Sequence, residues 1–313
     1  NRSVLTWIAY AVTAIGIAVL VIRVVCFKKY LHAKGLFLLI AFCGSYALSA
    51  LLTRQYGLSE NAKALVWMAF QYFILYTYDT TSDGTAEKKE FYIISHFFMA
   101  YTFLAVAAGT VMLFADYYSY TEVNGVVVIL GFLWNRLWGV YSDPNYGAVF
   151  SAITIIMSLY FYKDAKKPLK ALYIINIVLQ ICYIAFSDSR TGMVSLFCAL
   201  LVYVYLTALR SKKLEAKKAF ARGVICVLLA VTAAVASFAA IKVVSVSTSE
   251  FKKWQYEHII SSDKDKTDAQ KEKDKQKLEI GRQSNDINGD VSNRRFAIWG
   301  SGLEIFKTKP LTG

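Results

Sequence analysis

The stretch "LYIINIVLQICYIAFSDSRTGMVSLFCALLVYVYLTAL", Leu172–Leu209, holds two apolar runs joined by "SDSRTG". Each run is close to the 17–25 residues, roughly, that carry a helix across a hydrocarbon core. Almost no loop separates them, yet the junction holds Asp188 and Arg190. A helical hairpin that places an arginine at the membrane surface is the local reading.

The pattern repeats outward in both directions. The chain has 313 residues, 56% of them hydrophobic, and the apolar residues come in blocks. We read eight spanning helices: Val4–Phe27, Gly35–Thr53, Ala62–Tyr78, Phe91–Phe114, Pro144–Tyr162, Leu169–Phe186, Thr191–Leu209 and Gly223–Val246. The expected fold is therefore all-α, a polytopic transmembrane helix bundle. A ninth stretch, Gly125–Asp143, is interrupted by Asn135 and Arg136. It reads as a re-entrant or interfacial segment, with Trp134 and Trp138 at the membrane–water boundary. The chain begins at Asn1 and ends at "KPLTG", which reads as a fragment of a longer protein.

The net charge is +13. In a chain of this kind the excess reflects topology, and no nucleic-acid partner is expected. Arg23, Lys28, Lys29, Lys34, Lys88, Lys89 and the lysines of "KDAKKPLK" fall in one set of loops, as does the basic run from Arg210 to Arg222. The opposite short loops hold Arg2, Arg54, Lys63, Arg136 and Arg190. This asymmetry assigns the first set to the inside. It puts "WNRLW", "SDPN", "SDSRTG" and the tail on the extracytoplasmic face.

Residues 1–246 thus form the bundle and 247–313 a large extracytoplasmic loop. Within that loop 262–279 alternates charge signs and reads as solvated. Phe296, Ile298, Trp299, Leu303 and Phe306 recur at helical spacing, an amphipathic helix over about 294–308. The five cysteines all lie in apolar blocks and read as soft apolar residues. "DINGD" begins like a calcium loop, but Val291 and Ala297 stand where glycine and glutamate are needed. No histidine has a metal partner at ligand spacing.

Arg190 has two readings. It either snorkels to the interface and pairs with Asp188, or it holds an anion. For the second, its guanidinium offers a bidentate fork to phosphate oxygens. Ser187, Ser189 and Thr191 add hydroxyls, and a helix starting near Thr191 turns its amides outward. Arg294 and Arg295 either touch anionic lipid or supply a second half to such a clamp. Asp143 and Pro144 read as an N-cap and first helical residue, with Asn145 beside them. Arg136, between two tryptophans, reads as an interfacial or cation–π residue, with substrate contact the alternative.

In combination these motifs resemble the O-antigen ligase and Wzy-type O-antigen (capsular polysaccharide) polymerase family. The resemblance rests on "DPN" opening a span, "SDSRTG" between two spans, "SNRRFAIW" with an arginine four residues before Trp299, and "KPLTG". It covers roughly Ser142–Gly313. It implies a membrane-embedded, GT-C-like glycosyltransferase in the bacterial cytoplasmic (inner) membrane. Such an enzyme moves a glycan en bloc from a polyprenyl-diphosphate carrier to a lipid-linked or cell-surface acceptor. It implies no metal and no cofactor, because the diphosphate is itself the leaving group. By position Arg190 matches the Ser-Arg junction, and Arg295 or Arg294 the arginine before tryptophan, all as diphosphate ligands. Ser189, Asn145 and Arg136 become candidate substrate contacts. The general-base histidine is expected beyond residue 313. The rival reading, a transporter or flippase for envelope glycolipids, predicts charged residues near the midplane of several spans.

Overall fold

The computed structural model describes residues 2–30, 34–77, 83–123, 126–211, 219–255, 257–258, 280, 295–308 and 310. The charged stretch 262–279, "DINGD" at 286–290 and Arg294 lie outside them. The chain divides into two compact units. One comprises Asn1–Lys89 and Asp290–Gly313, the other Glu90–Gly289.

In the first unit, α1 (Arg2–Val25), α2 (Leu36–Leu52) and α3 (Leu58–Phe70) pack together, and α3 continues as a π-helical turn, Gln71–Tyr76. The expected span Ala62–Tyr78 is thus split, with its helical part beginning earlier at Leu58. This unit also holds the helix Arg295–Thr308, which occurs where an amphipathic helix was expected.

The second unit takes most of α4 (Thr85–Phe114), three strands, and α5 (Pro144–Tyr162), α6 (Lys167–Ser187), α7 (Arg190–Leu209) and α8 (Ala219–Gln255). These five helices are long and apolar enough to cross a membrane. Helix α5 packs against α6 and α7, and α8 against α6 and α7. Their outward faces present Phe97, Leu104, Ile175, Val194 and Leu228, the surface a lipid chain can cover. Inside, Val106, Leu113, Leu137, Tyr183, Ile184, Leu196 and Ile241 form one core.

The helices are also joined by uncharged polar side chains. Thr102 of α4 and Thr154 of α5 meet through their hydroxyls at 2.9 Å, and Asn176 of α6 donates to Ser158 of α5 at 3.2 Å while accepting from Gln180 of its own helix at 2.9 Å. Hydrogen bonds of this kind hold spans together where lipid is as apolar as the core. Among the described residues the only buried charged side chain is Lys252, near the end of α8.

The helical bundle is as expected, but the ninth stretch is not helical. Residues 118–123 and 126–139 hold an antiparallel sheet of β1 (Tyr118–Val123), β2 (Val126–Leu133) and β3 (Arg136–Gly139), in the order β1-β2-β3. The reason is local. "VVVIL" is rich in β-branched residues, and Trp134-Asn135 makes a two-residue turn with φ of 54° and 58°. A strand leaves half its backbone groups unpaired unless a partner is present; β1 and β3 supply them on both sides. Gly139, at φ 62°, lies against Gly109 of α4, so the sheet seats closely on the bundle. Leu137 faces the core and is fully buried.

Candidate functional site

Three helix ends and one hairpin meet in the second unit. Helix α5 starts as its sequence demands. Asp143 caps it by accepting from the Asn145 amide at 2.6 Å, and Pro144 occupies the first turn. Helix α6 ends at Ser187 because Asp188 turns into the left-handed region, φ 44°. Ser189 then caps α7, accepting from the Gly192 amide at 3.0 Å. So "SDSRTG" is a stop, a turn and a start with no loop between.

Small residues bring the two helix starts together. A Cβ on Gly192 would clash with Ala148, which is fully buried on α5. Gly147 likewise has no room for a side chain, because Tyr183 and Tyr141 lie against it. Tyr183 donates its hydroxyl to the Trp138 carbonyl at 3.1 Å and so ties α6 to β3.

The hairpin then delivers Arg136. Its Nε donates to the Ser187 carbonyl at 2.7 Å and its Nη2 to Asn145 Oδ1 at 3.2 Å. The same Asn145 oxygen accepts from Ser189 Oγ at 2.9 Å. The electrostatic outcome follows from the helix dipoles. The starts of α5 and α7 each carry partial positive charge, and the end of α6 carries partial negative charge. Arg136 covers that negative end at Ser187. The Asp143 carboxylate already caps the start of α5 and Asp188 lies in the turn, while Arg190 adds an exposed side chain at the first residue of α7.

Four of the expected residues, Arg190, Ser189, Asn145 and Arg136, are therefore brought to one junction. Their roles separate. Ser189 is fully buried, and its hydroxyl both accepts from Gly192 and donates to Asn145. Ser187 is also buried and donates to the Ile184 carbonyl at 3.0 Å, so neither hydroxyl faces outward as the sequence suggested. Thr191 is exposed. Arg136 makes its bonds to helix ends across 51 and 9 positions of sequence. Arg295 opens the last helix in the other unit. Arg294 lies outside the described residues.

Sequence reasoning missed two supports. Lys252 is buried, donates to Asp116 at 2.6 Å and sits 4.3 Å from the Phe132 ring centre. This clamps the end of α8 to the α4–β1 turn and to the strand beside Arg136. No local signal pairs residues so far apart. Tyr141, between β3 and α5, is the second; burial, with a smaller effect of Tyr101, pushes its phenol well above the ordinary value. Among the described residues its hydroxyl has no hydrogen-bond partner. Among the described residues no group of three or more His, Cys, Asp or Glu side chains could hold a metal ion.

Residues 175–313 match a family model described as O-antigen ligase. The match takes in most of α6, the "SDSRTG" junction and α7. No curated protein and no solved structure matches the chain.

Proposed function

From the O-antigen ligase match and the junction geometry, we propose that this multi-pass membrane protein is a polysaccharide polymerase or O-antigen ligase. It moves a glycan en bloc from a polyprenyl-diphosphate carrier to a lipid-linked or cell-surface acceptor, on the outer face of the cytoplasmic membrane. The convergence of two helix starts with Arg136 and Arg190 is the observation that carries this reading.

In the reaction the acceptor hydroxyl gives its proton to a general base and attacks the anomeric carbon, the bond to the phosphate oxygen breaks, and its electron pair stays on the diphosphate. Charge grows on that leaving group, and fixed positive groups aimed at it lower the barrier. Arg190 is the residue in contact with the diphosphate, with Asn145 Nδ2 as a further donor. Arg136 and Ser189 hold the two helix starts in place. Arg295 or Arg294 supplies a second cationic contact. Apart from Lys252 near the end of α8, the buried polar groups of the described residues are uncharged, so the transporter reading gains no support from them.

The test is complementation. The host is deleted for the protein and restored with wild type or Arg190→Ala, and surface glycan and lipid-linked glycan are resolved on gels. Single repeat units in the deletion, not rescued by Arg190→Ala, identify a polymerase that uses this junction. Long polymer that stays on its carrier identifies a ligase. Unchanged glycan in the deletion overturns the reading.

A further inference from the structure

Arg23, near the end of α1, is held by the π-helical turn. Its Nη1 donates to the Phe73 carbonyl at 3.1 Å, the Thr77 carbonyl at 2.5 Å and Thr77 Oγ1 at 2.9 Å. The guanidinium stacks 4.7 Å from the Tyr30 ring centre. A π-turn spaces its carbonyls differently from an α-helix, and such turns are frequent at functional sites. All these bonds run through one nitrogen. Among the described residues the hydrogen bonds of the guanidinium use this nitrogen, which leaves the N–H groups of the other two as donors towards a ligand.

Arg23 and Tyr30 belong to the wall of a cavity of about 560 Å³ between α1, α2 and α3. Leu20, Phe27, Ile40 and Phe73 make the rest of it almost wholly apolar. The volume lies within the roughly 300–1,000 Å³ of small-molecule sites. Charge selects the occupant. Lys28, Lys29 and Lys34 follow Arg23 in the sequence and Asp79 and Asp83 follow Thr77, so cations outnumber carboxylates in the segments leading from this end of the cavity. An apolar body with a net cationic end fits an amphiphile whose head is negative.

We propose that this cavity binds one anionic phospholipid, with an acyl chain along the apolar wall and the phosphate at Arg23. The site lies wholly in the first unit, and its readout does not depend on the glycan-transfer reading.

Gly44 supplies a clean probe. It lines the cavity, and a Cβ there would meet nothing within 4 Å, so Gly44→Leu starts a side chain at the cavity wall without a clash at its first atom. The full chain is placed in nanodiscs of equal phosphatidylglycerol and phosphatidylcholine, then released for native mass spectrometry. Phosphatidylglycerol adducts are expected to exceed phosphatidylcholine about tenfold, the effect of one or two basic groups. Gly44→Leu abolishes the adduct, and Arg23→Gln brings the ratio close to one. Arg23→Gln also loses three intramolecular bonds, so if it fails to fold, Gly44→Leu decides. Equal retention of both lipids by wild type overturns the proposal. So does an adduct that survives Gly44→Leu, displacement by added polyprenyl phosphate at equal concentration, or a second copy of the chain in place of lipid.

Discussion

Asn145 Oδ1 accepts from Ser189 Oγ at 2.9 Å while also accepting from Arg136 Nη2 at 3.2 Å. One amide oxygen thereby joins the starts of α5 and α7 to the hairpin. Replacing Asn145 with Ala leaves a buried hydroxyl and a guanidinium N–H without their acceptor. The expected cost is about 1–3 kcal/mol in thermal unfolding, with at least about tenfold slower glycan transfer. Asn145→Asp keeps both bonds and restores stability, but sets a negative charge where the diphosphate binds. Wild-type transfer by Asn145→Asp would sink the anion reading of this junction.

Stability and chemistry part company at two adjacent residues. Ser189→Ala removes the cap of α7 and lowers stability by about 1 kcal/mol. Arg190 is exposed, so Arg190→Ala stays within about 0.5 kcal/mol of wild type. Its transfer activity nevertheless falls further than that of Ser189→Ala. Calorimetry and an in vitro transfer assay on the same preparations check both halves. Equal activity losses tracking stability would reduce Arg190 to a structural role.

The ion pair of Lys252 and Asp116 anchors the sheet on which Arg136 rides. The Lys252 side chain is 1% exposed and that of Asp116 is 41% exposed. Asp116→Asn therefore strands a buried ammonium, and the expected loss is about 3 kcal/mol, the low end for a broken buried pair. Adding Lys252→Met recovers most of it, since replacing both charges removes the uncompensated one. A double-mutant cycle by chemical denaturation measures this coupling. Additive losses would mean that the pair is not a clamp.

Tyr141 predicts an alkaline limit. Burial holds its phenol above the ordinary value, so the unfolded chain loses that proton first as pH rises. The folded state binds more protons in this window, and stability falls with increasing pH. The loss begins near the ordinary tyrosine value of about 10 and grows towards the raised folded-state value. Tyr141→Phe has no proton to lose and gives up no hydrogen bond among the described residues, where the hydroxyl has no partner. Its unfolding temperature should match wild type at pH 7 and exceed it at pH 10.5. The same alkaline slope in both proteins would assign the effect elsewhere.

Some of this site was legible at the level of short strings. Asp143, Pro144 and the Ser189 cap act within three residues of themselves, so their sequence reading and their geometry agree. The "SDSRTG" turn is equally local. The sequence adds the hydroxyls of Ser187 and Ser189 to an anion site because nothing in a string shows which side of a helix end is buried. The strand pairing within Val126–Gly139 was missed for a related reason. Tryptophan and arginine at a membrane surface look the same in a re-entrant helix and in a hairpin, and only β1 and β3 beside β2 decide between them.

The amino-acid order alone determined that this chain is a bundle of membrane-crossing helices, where most of them begin and end, and which junction carries arginine. Those properties depend on apolar length, charge and caps, all of which act over a few neighbouring residues. Tertiary structure alone decided that Arg136 reaches Ser187 and Asn145, that Lys252 reaches Asp116, and that Arg23 closes on the turn at Phe73 and Thr77. These contacts depend on which helix faces pack together. That choice is made by the fit of whole surfaces, such as Gly192 on Ala148 and Gly139 on Gly109, and no short segment contains it.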